Sequence, residues 1–112
     1  MISFIIPIRV ISEANRCDHW SVKRKRTNEH RLVAKCKTNE HLPRSFNFMG
    51  KVKLTRVYTG RQQAMDLGDN LACSMKACRD GIADALKRDD RNIVWEYAQE
   101  RGDHIAVRVE IT

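Results

Sequence analysis

The chain has 112 residues, with 21 Lys plus Arg against 14 Asp plus Glu, a net charge of +7 and an isoelectric point near 9.6. A chain of this size buries roughly two-thirds of its unfolded surface, enough for one modest core and not for two domains. The 42% hydrophobic content, with five Gly and two Pro, excludes a disordered tail and fits a globular α/β or α+β protein.

Residues 2–10 are rich in β-branched side chains and predict a first strand, with Pro7 placing it near an edge or a bend. The apolar part of this run is too short to span a bilayer and has no basic leader or small-residue cleavage site, so no membrane or export role is expected. Residues 12–16 read as a loop and residues 19–36 as a helix, with sparse apolar positions at Val22, Leu32, Val33 and Cys36. Lys23, Arg24, Lys25, Arg26, Arg31 and Lys35 give that helix a basic face, and its tryptophan, Trp20, reads either as a ring that stacks on a base or as one that seals the helix to the sheet, with packing the expected role. Turn formers and Pro43 occupy residues 38–47, and residues 51–58 alternate as a strand.

A loop over residues 60–68 leads to the strongest helical pattern, residues 69–86. Leu71, Met75, Cys78, Ile82 and Leu86 recur there at spacings of three and four on one face. Residues 88–92 read as a turn, residues 93–99 as a strand, and Gly102-Asp103 as a tight hairpin into a last strand over residues 105–111. The order β-α-β-α-β-β implies a small mixed sheet with helices packed on it. Four cysteines (Cys17, Cys36, Cys73, Cys78) show no CxxC pair, so they read as reduced thiols of a cytoplasmic protein and not as a zinc site.

The charge is segregated. Residues 16–61 carry 13 basic and three acidic side chains, a balance of +10, while residues 62–112 carry seven basic and ten acidic, a balance of −3. Clustered basic charge marks a polyanion footprint, and the acids of the second half call for a separate explanation. Helical spacing puts Asp69, Lys76 and Asp80 on one polar stripe away from the apolar face, with Asp66 in the preceding loop and Asp89-Asp90 in the following turn. Carboxylates converging in this way suit Mg²⁺ or Mn²⁺, with Lys76 placed to neutralise charge at a phosphate. Local roles compete with that reading: Asp69 as a helix N-cap, Asp80 and Asp84 as solvated surface, Lys76 pairing with Asp80 at i,i+4, and Asp89-Asp90 as a turn signal.

The run 65–86, which begins Met65-Asp-Leu-Gly-Asp-Asn and contains Lys76 and Asp80, is followed by Asp89-Asp90 and by Trp95-Glu-Tyr-Ala-Gln-Glu-Arg-Gly102. Together these resemble the RusA family of Holliday-junction resolvases, especially its phage and prophage members. The resemblance covers the second half of the chain most closely. It implies a RusA-like fold and a Mg²⁺-dependent homodimeric endonuclease making paired nicks across a four-way DNA junction in recombination or repair. Residue by residue, it implies Asp69, Lys76 and Asp90 at the catalytic centre, metal ligation by Asp66, Asp69 and Asp90 with Asp80 or Asp89, and a DNA contact at Asn70. Asp66 stands one residue further from Asp69 than the family spacing, so its reach depends on a bulge at Gly68.

The basic half fits the same expectation, with Lys23, Arg24, Lys25, Arg26 and Arg31, and also Lys35, Lys51, Lys53 and Arg56, available to phosphates. A fourfold-branched substrate has two symmetry-related strands, which a twofold dimer would cut in concert. Two other readings remain open: a non-catalytic structure-specific DNA-binding protein of the same fold, and a nuclease of flaps or forks.

Overall fold

The computed structural model describes residues 1–11, 19–60 and 69–112, with Asp69 and Asn70 described as helix backbone only. Asp66, Cys17, the loop expected at 12–16 and all but Gly60 of the loop expected at 60–68 lie outside the described residues. The elements are β1 (Ile2–Ile6), α1 (Trp20–His41), β2 (Lys51–Tyr58), α2 (Asp69–Ser74), α3 (Lys76–Leu86), a 3₁₀ turn (Asp90–Asn92), β3 (Val94–Arg101) and β4 (Ala106–Ile111). They build a mixed α+β domain around a four-stranded sheet of order β1-β4-β2-β3. β4 is antiparallel to both β1 and β2, and β2 and β3 run parallel.

Strand register writes the core in rows. Ile2, Ile111, Val52 and Trp95 stand side by side across the four strands, as do Phe4, Val109, Leu54 and Tyr97. Leu71, Met75, Cys78 and Ile82 of the helical layer complete the cluster, all fully buried. Burial pushes the Cys78 thiol up to about 12, whereas Cys36 and Cys73 are exposed. The next row reads Ile6, Val107, Arg56 and Gln99, so the core face turns polar at this end, where Arg56 donates to Gln99 at 3.3 Å. The opposite face is charged, with Lys51 paired to Glu96 at 2.9 Å and Arg108 paired to Glu100.

Several boundaries differ from the sequence expectation, each for a local reason. β1 stops at Ile6 because Pro7 has no N–H for the ladder; the Ile8 N–H instead closes a tight turn onto Ile6 O at 2.9 Å, and Ile8 and Val10 stay buried without strand pairing. α1 runs through residues 38–41, expected as turn, because burial of Thr38 and a contact with β1 hold its last turns. The buried Thr38 hydroxyl donates to Ala34 O at 2.7 Å, and the His41 ring stacks on Phe4 at 4.9 Å between centroids. The helix then ends at Leu42, held extended by the following Pro43.

The expected continuous helix over 69–86 is broken at Met75, whose backbone (φ −98°, ψ 3°) leaves the helical region and whose N–H bonds to Ala72 O. The Ser74 hydroxyl donates back to Leu71 O at 2.7 Å, a bond that bends helices. The single 100° stripe drawn through Asp69, Lys76 and Asp80 therefore does not carry across the break. The expected hairpin at Gly102-Asp103 is also absent: β3 and β4 do not pair, because β2 lies between them. The connection crosses the end of β2, where Gly102 N–H donates to Tyr58 O at 2.8 Å and a Cβ on Gly102 would stand 2.6 Å from Val57 Cγ1. Gly102 serves close approach, not turn conformation.

α1 packs against α3, and glycine sets the distance there too. A Cβ on Gly81 would run into the Arg31 carbonyl oxygen and would stand 2.9 Å from Ala34 Cβ and 3.0 Å from Lys35 N. The buried face of α1 is formed by Ala34 and Thr38, not by the expected Val22, Leu32 and Cys36, which are exposed. Small residues win because the two backbones are too close for large ones. Among the described residues no helix is long and apolar enough to cross a membrane.

Candidate functional site

The closely packed helices diverge toward the start of α3 and leave a groove. A cavity of about 410 Å³ is lined there by Lys23, Arg26, Thr27 and His30 of α1 and by Cys73, Ser74, Lys76, Ala77 and Asp80 of α2 and α3. Lys23, Arg26, Thr27 and His30 fall at i, i+3, i+4 and i+7, so the tetrabasic run is divided by helical geometry. Lys23 and Arg26 face the groove, whereas Lys25 points away, about 150° from its centre by the same spacing. Arg24, about 110° from the centre, does not line the groove.

A second cavity of about 180 Å³ lies further along α3, lined by Arg31, Asp80, Ala83, Asp84, Arg88, Asp89 and Asp90. Asp80 belongs to both cavities and joins them. The three expected acids whose side chains are described (Asp80, Asp89 and Asp90) thus share one wall, together with Asp84.

Arginines hold most of these acids. Arg31 donates from Nε and Nη2 to the two oxygens of Asp84 at 2.8 and 3.1 Å, tying α1 to α3. This hydrogen bond raises the Arg31 pKa and lowers that of Asp84. Asp89 caps the 3₁₀ turn, accepting from Arg91 N at 3.0 Å and from the Arg91 guanidinium at 3.0 and 3.4 Å, and these bonds hold its carboxyl down to about 2. Arg79 Nη2 donates to Asp90 at 3.1 Å and Arg79 Nη1 to Tyr97 Oη at 3.2 Å, with Trp95 Nε1 bonded to Asp90 O at 3.0 Å. Burial works against the Arg79 charge, but Tyr97 and Asp90 outweigh it and the pKa is raised. Arg79 Nε is buried with no partner among the described residues.

Asp80 is the exception in that cavity: among the described residues neither Asp80 nor Lys76 makes an ion pair, and the i,i+4 pair between them is not formed. Among the described residues no group of three His, Cys, Asp or Glu is arranged to hold a metal ion. The side chains of Asp69 and Asn70 are not described, although the α2 start at Asp69 borders the groove residues Cys73 and Ser74 in sequence. The donor chemistry, carboxylates beside cations that accept phosphate, is that of a hard divalent ion; the described pairing with arginine would have to open to present Asp89 or Asp90 to one.

Some sequence expectations fall elsewhere. Arg56 is 5% exposed on the core face, where burial lowers its pKa, and Lys51 is paired on the charged face of the sheet; Lys53 stands on that same face. None of these three lines the groove. His19 caps α1, its Nδ1 accepting from Ser21 N at 3.2 Å. Trp20, expected to pack, is 67% exposed. Sequence reasoning missed Arg79, since no spacing rule connects it with Asp90 eleven residues on; the signal was an arginine on the helix bearing the acids.

The pairing of Asp84 and Asp89 sets an acid dependence. Both carboxyls have folded-state values below their ordinary ones, so their stabilisation is present above about pH 4 and is lost as pH falls through the lowered values. Urea midpoints are expected to be level from about pH 5 to 7 and to fall between about pH 4 and 2, with a shallower fall in Asp84→Asn. An equally steep fall in that variant would remove Asp84 from the account.

Comparison with protein-family models, with curated proteins and with solved structures finds no match for this chain.

Proposed function

We propose that the protein is a Mg²⁺-dependent endonuclease of branched DNA, acting on four-way junctions as a homodimer. The observation that supports it is Asp80 without an ion-pair partner among the described residues, set between Lys23, Arg26 and Lys76 in one groove. The three cations would donate to phosphate oxygens, and a carboxylate among them would repel those oxygens unless a cation bridged the two. Asp80 and Asp90 are the described carboxylates that would hold the ion, with Asp69 and Asp66 as the further ligands that the RusA resemblance implies. When bound, a divalent ion supplies Lewis-acid polarisation of the phosphodiester. Lys23 and Arg26 position the strand through flanking phosphates, and Lys76 offsets charge developing on the phosphate oxygens.

A second reading has its own observation. Asp84, Asp89 and Asp90 are all turned to arginines, as they would be in a non-catalytic binder that keeps the basic groove.

Incubation of a labelled four-way junction with and without Mg²⁺ separates the two, with forked and flapped DNA alongside. The nuclease reading expects paired, Mg²⁺-dependent nicks that Asp69→Asn abolishes while binding persists. Joint replacement of Lys23 and Arg26 by alanine is expected to weaken binding and reduce the salt slope by about 2. Binding without cleavage at any metal concentration rejects the nuclease, and preferential cutting of flaps or forks rejects the junction as its substrate.

A further inference from the structure

The same groove ends beside an aromatic ring that the phosphate contacts leave unused. Trp20 is the first residue of α1 and is 67% exposed, an unusual position for a tryptophan. On the helix it precedes Lys23, Arg24 and Thr27 by three, four and seven residues, so all four share one stripe, and Lys23 and Thr27 on that stripe line the groove. The indole therefore stands one helical turn beyond the groove's mouth. His19 packs against it with ring centroids 5.5 Å apart at 34°, and the His19 ring is itself fixed by Ser21, whose Oγ lies 2.7 Å from Nδ1.

We infer that Trp20 is a stacking platform for an unpaired base, such as one opened at the branch point of the DNA, next to the duplex phosphates held in the groove. The inference rests on the nucleic-acid reading of that groove. Charge complementarity selects this occupant. An apolar protein surface seated on Trp20 would bring Lys23 and Arg24 into a dry interface without partners, whereas a nucleotide offers a flat π face to the indole and a phosphate to the adjacent cations. A base within a duplex has both faces stacked, so only an unpaired or terminal base can lie on the ring.

The test compares a duplex bearing a short single-stranded arm with a blunt duplex of equal phosphate number, without divalent metal. Wild-type protein is expected to prefer the armed DNA, with tryptophan fluorescence quenched on binding. Trp20→Ala is expected to lose roughly 5- to 150-fold in affinity for the armed DNA, and Trp20→Phe much less, with blunt-duplex binding unchanged in both. Equal binding of armed DNA by Trp20→Ala and wild type overturns the stacking role, while blunt-duplex binding that still depends on Lys23 and Arg26 keeps the groove reading intact. Loss of that dependence overturns the groove reading itself. Trp20-dependent binding to phosphatidylserine vesicles without any arm preference on DNA assigns the ring to a lipid surface and overturns the inference.

Discussion

Gly81→Leu is expected to lower stability by about 3 kcal/mol or more, and Gly81→Ala by about 1–3 kcal/mol, despite alanine's higher helix propensity. Even a methyl group meets the Arg31 carbonyl oxygen and Ala34 Cβ, and the first of these is backbone, which cannot rotate away. Accommodating it means moving α1 off α3, which also strains the Arg31–Asp84 bridge one turn away. Against a total stability of roughly 5–15 kcal/mol for a domain of this class, the leucine variant would be marginally folded. Urea unfolding reads the stability, and DNA affinity reads the groove, since Lys23 and Arg26 reach it only while α1 lies against α3. A Gly81→Ala protein as stable as wild type would show that the helix pair tolerates separation and that close packing does not set the groove.

How far the sequence could be read depended on whether the deciding contact was local. β2 was legible to the residue because its first half, Lys51 to Leu54, alternates between charged and core faces, a pattern a strand carries within itself, although Thr55, Arg56 and Val57 beyond it are all buried. The core face of residues 71–86 was legible for the same reason. What escaped was decided across the chain. Gly102 looks like a hairpin glycine because nothing nearby reveals that β2 will lie between β3 and β4. The last turns of α1 contain Thr38, Asn39 and His41, weak helix formers whose order comes from burial of Thr38 against the rest of the fold and from the Phe4 ring. Within the candidate site, the acids of 80–90 were recognisable as a group from their density, but their pairing was not. Arg31 was read as a phosphate contact, and its partner Asp84 lies 53 residues away. The basic run was read as one surface, although helical geometry sends Lys23 and Arg26 into the groove and Lys25 to the far side.

Asp90→Asn and Arg79→Gln remove the same hydrogen bond from opposite ends, and their comparison decides what Asp90 is for. Both groups are about 30% exposed, so each substitution is expected to cost about 1–2 kcal/mol of stability by leaving a partly buried partner short of one bond. Arg79 keeps Tyr97 in the first variant, and Asp90 keeps its carboxylate in the second. If Asp90 serves the proposed ion, the effects on cleavage diverge: Asp90→Asn is expected to lower Mg²⁺-dependent nicking about a hundredfold or more, and Arg79→Gln less than tenfold. The bond to Arg79 competes with metal for the carboxylate, so Arg79→Gln is further expected to reach half-maximal nicking at lower Mg²⁺ than wild type. A role for Asp90 confined to anchoring Arg79 over Trp95 predicts something different, namely equal losses of nicking that track the equal losses of stability. Metal titration of the cleavage rate in the two variants distinguishes these outcomes, because a purely structural bond has no means of shifting the Mg²⁺ midpoint in one direction when broken from the arginine side.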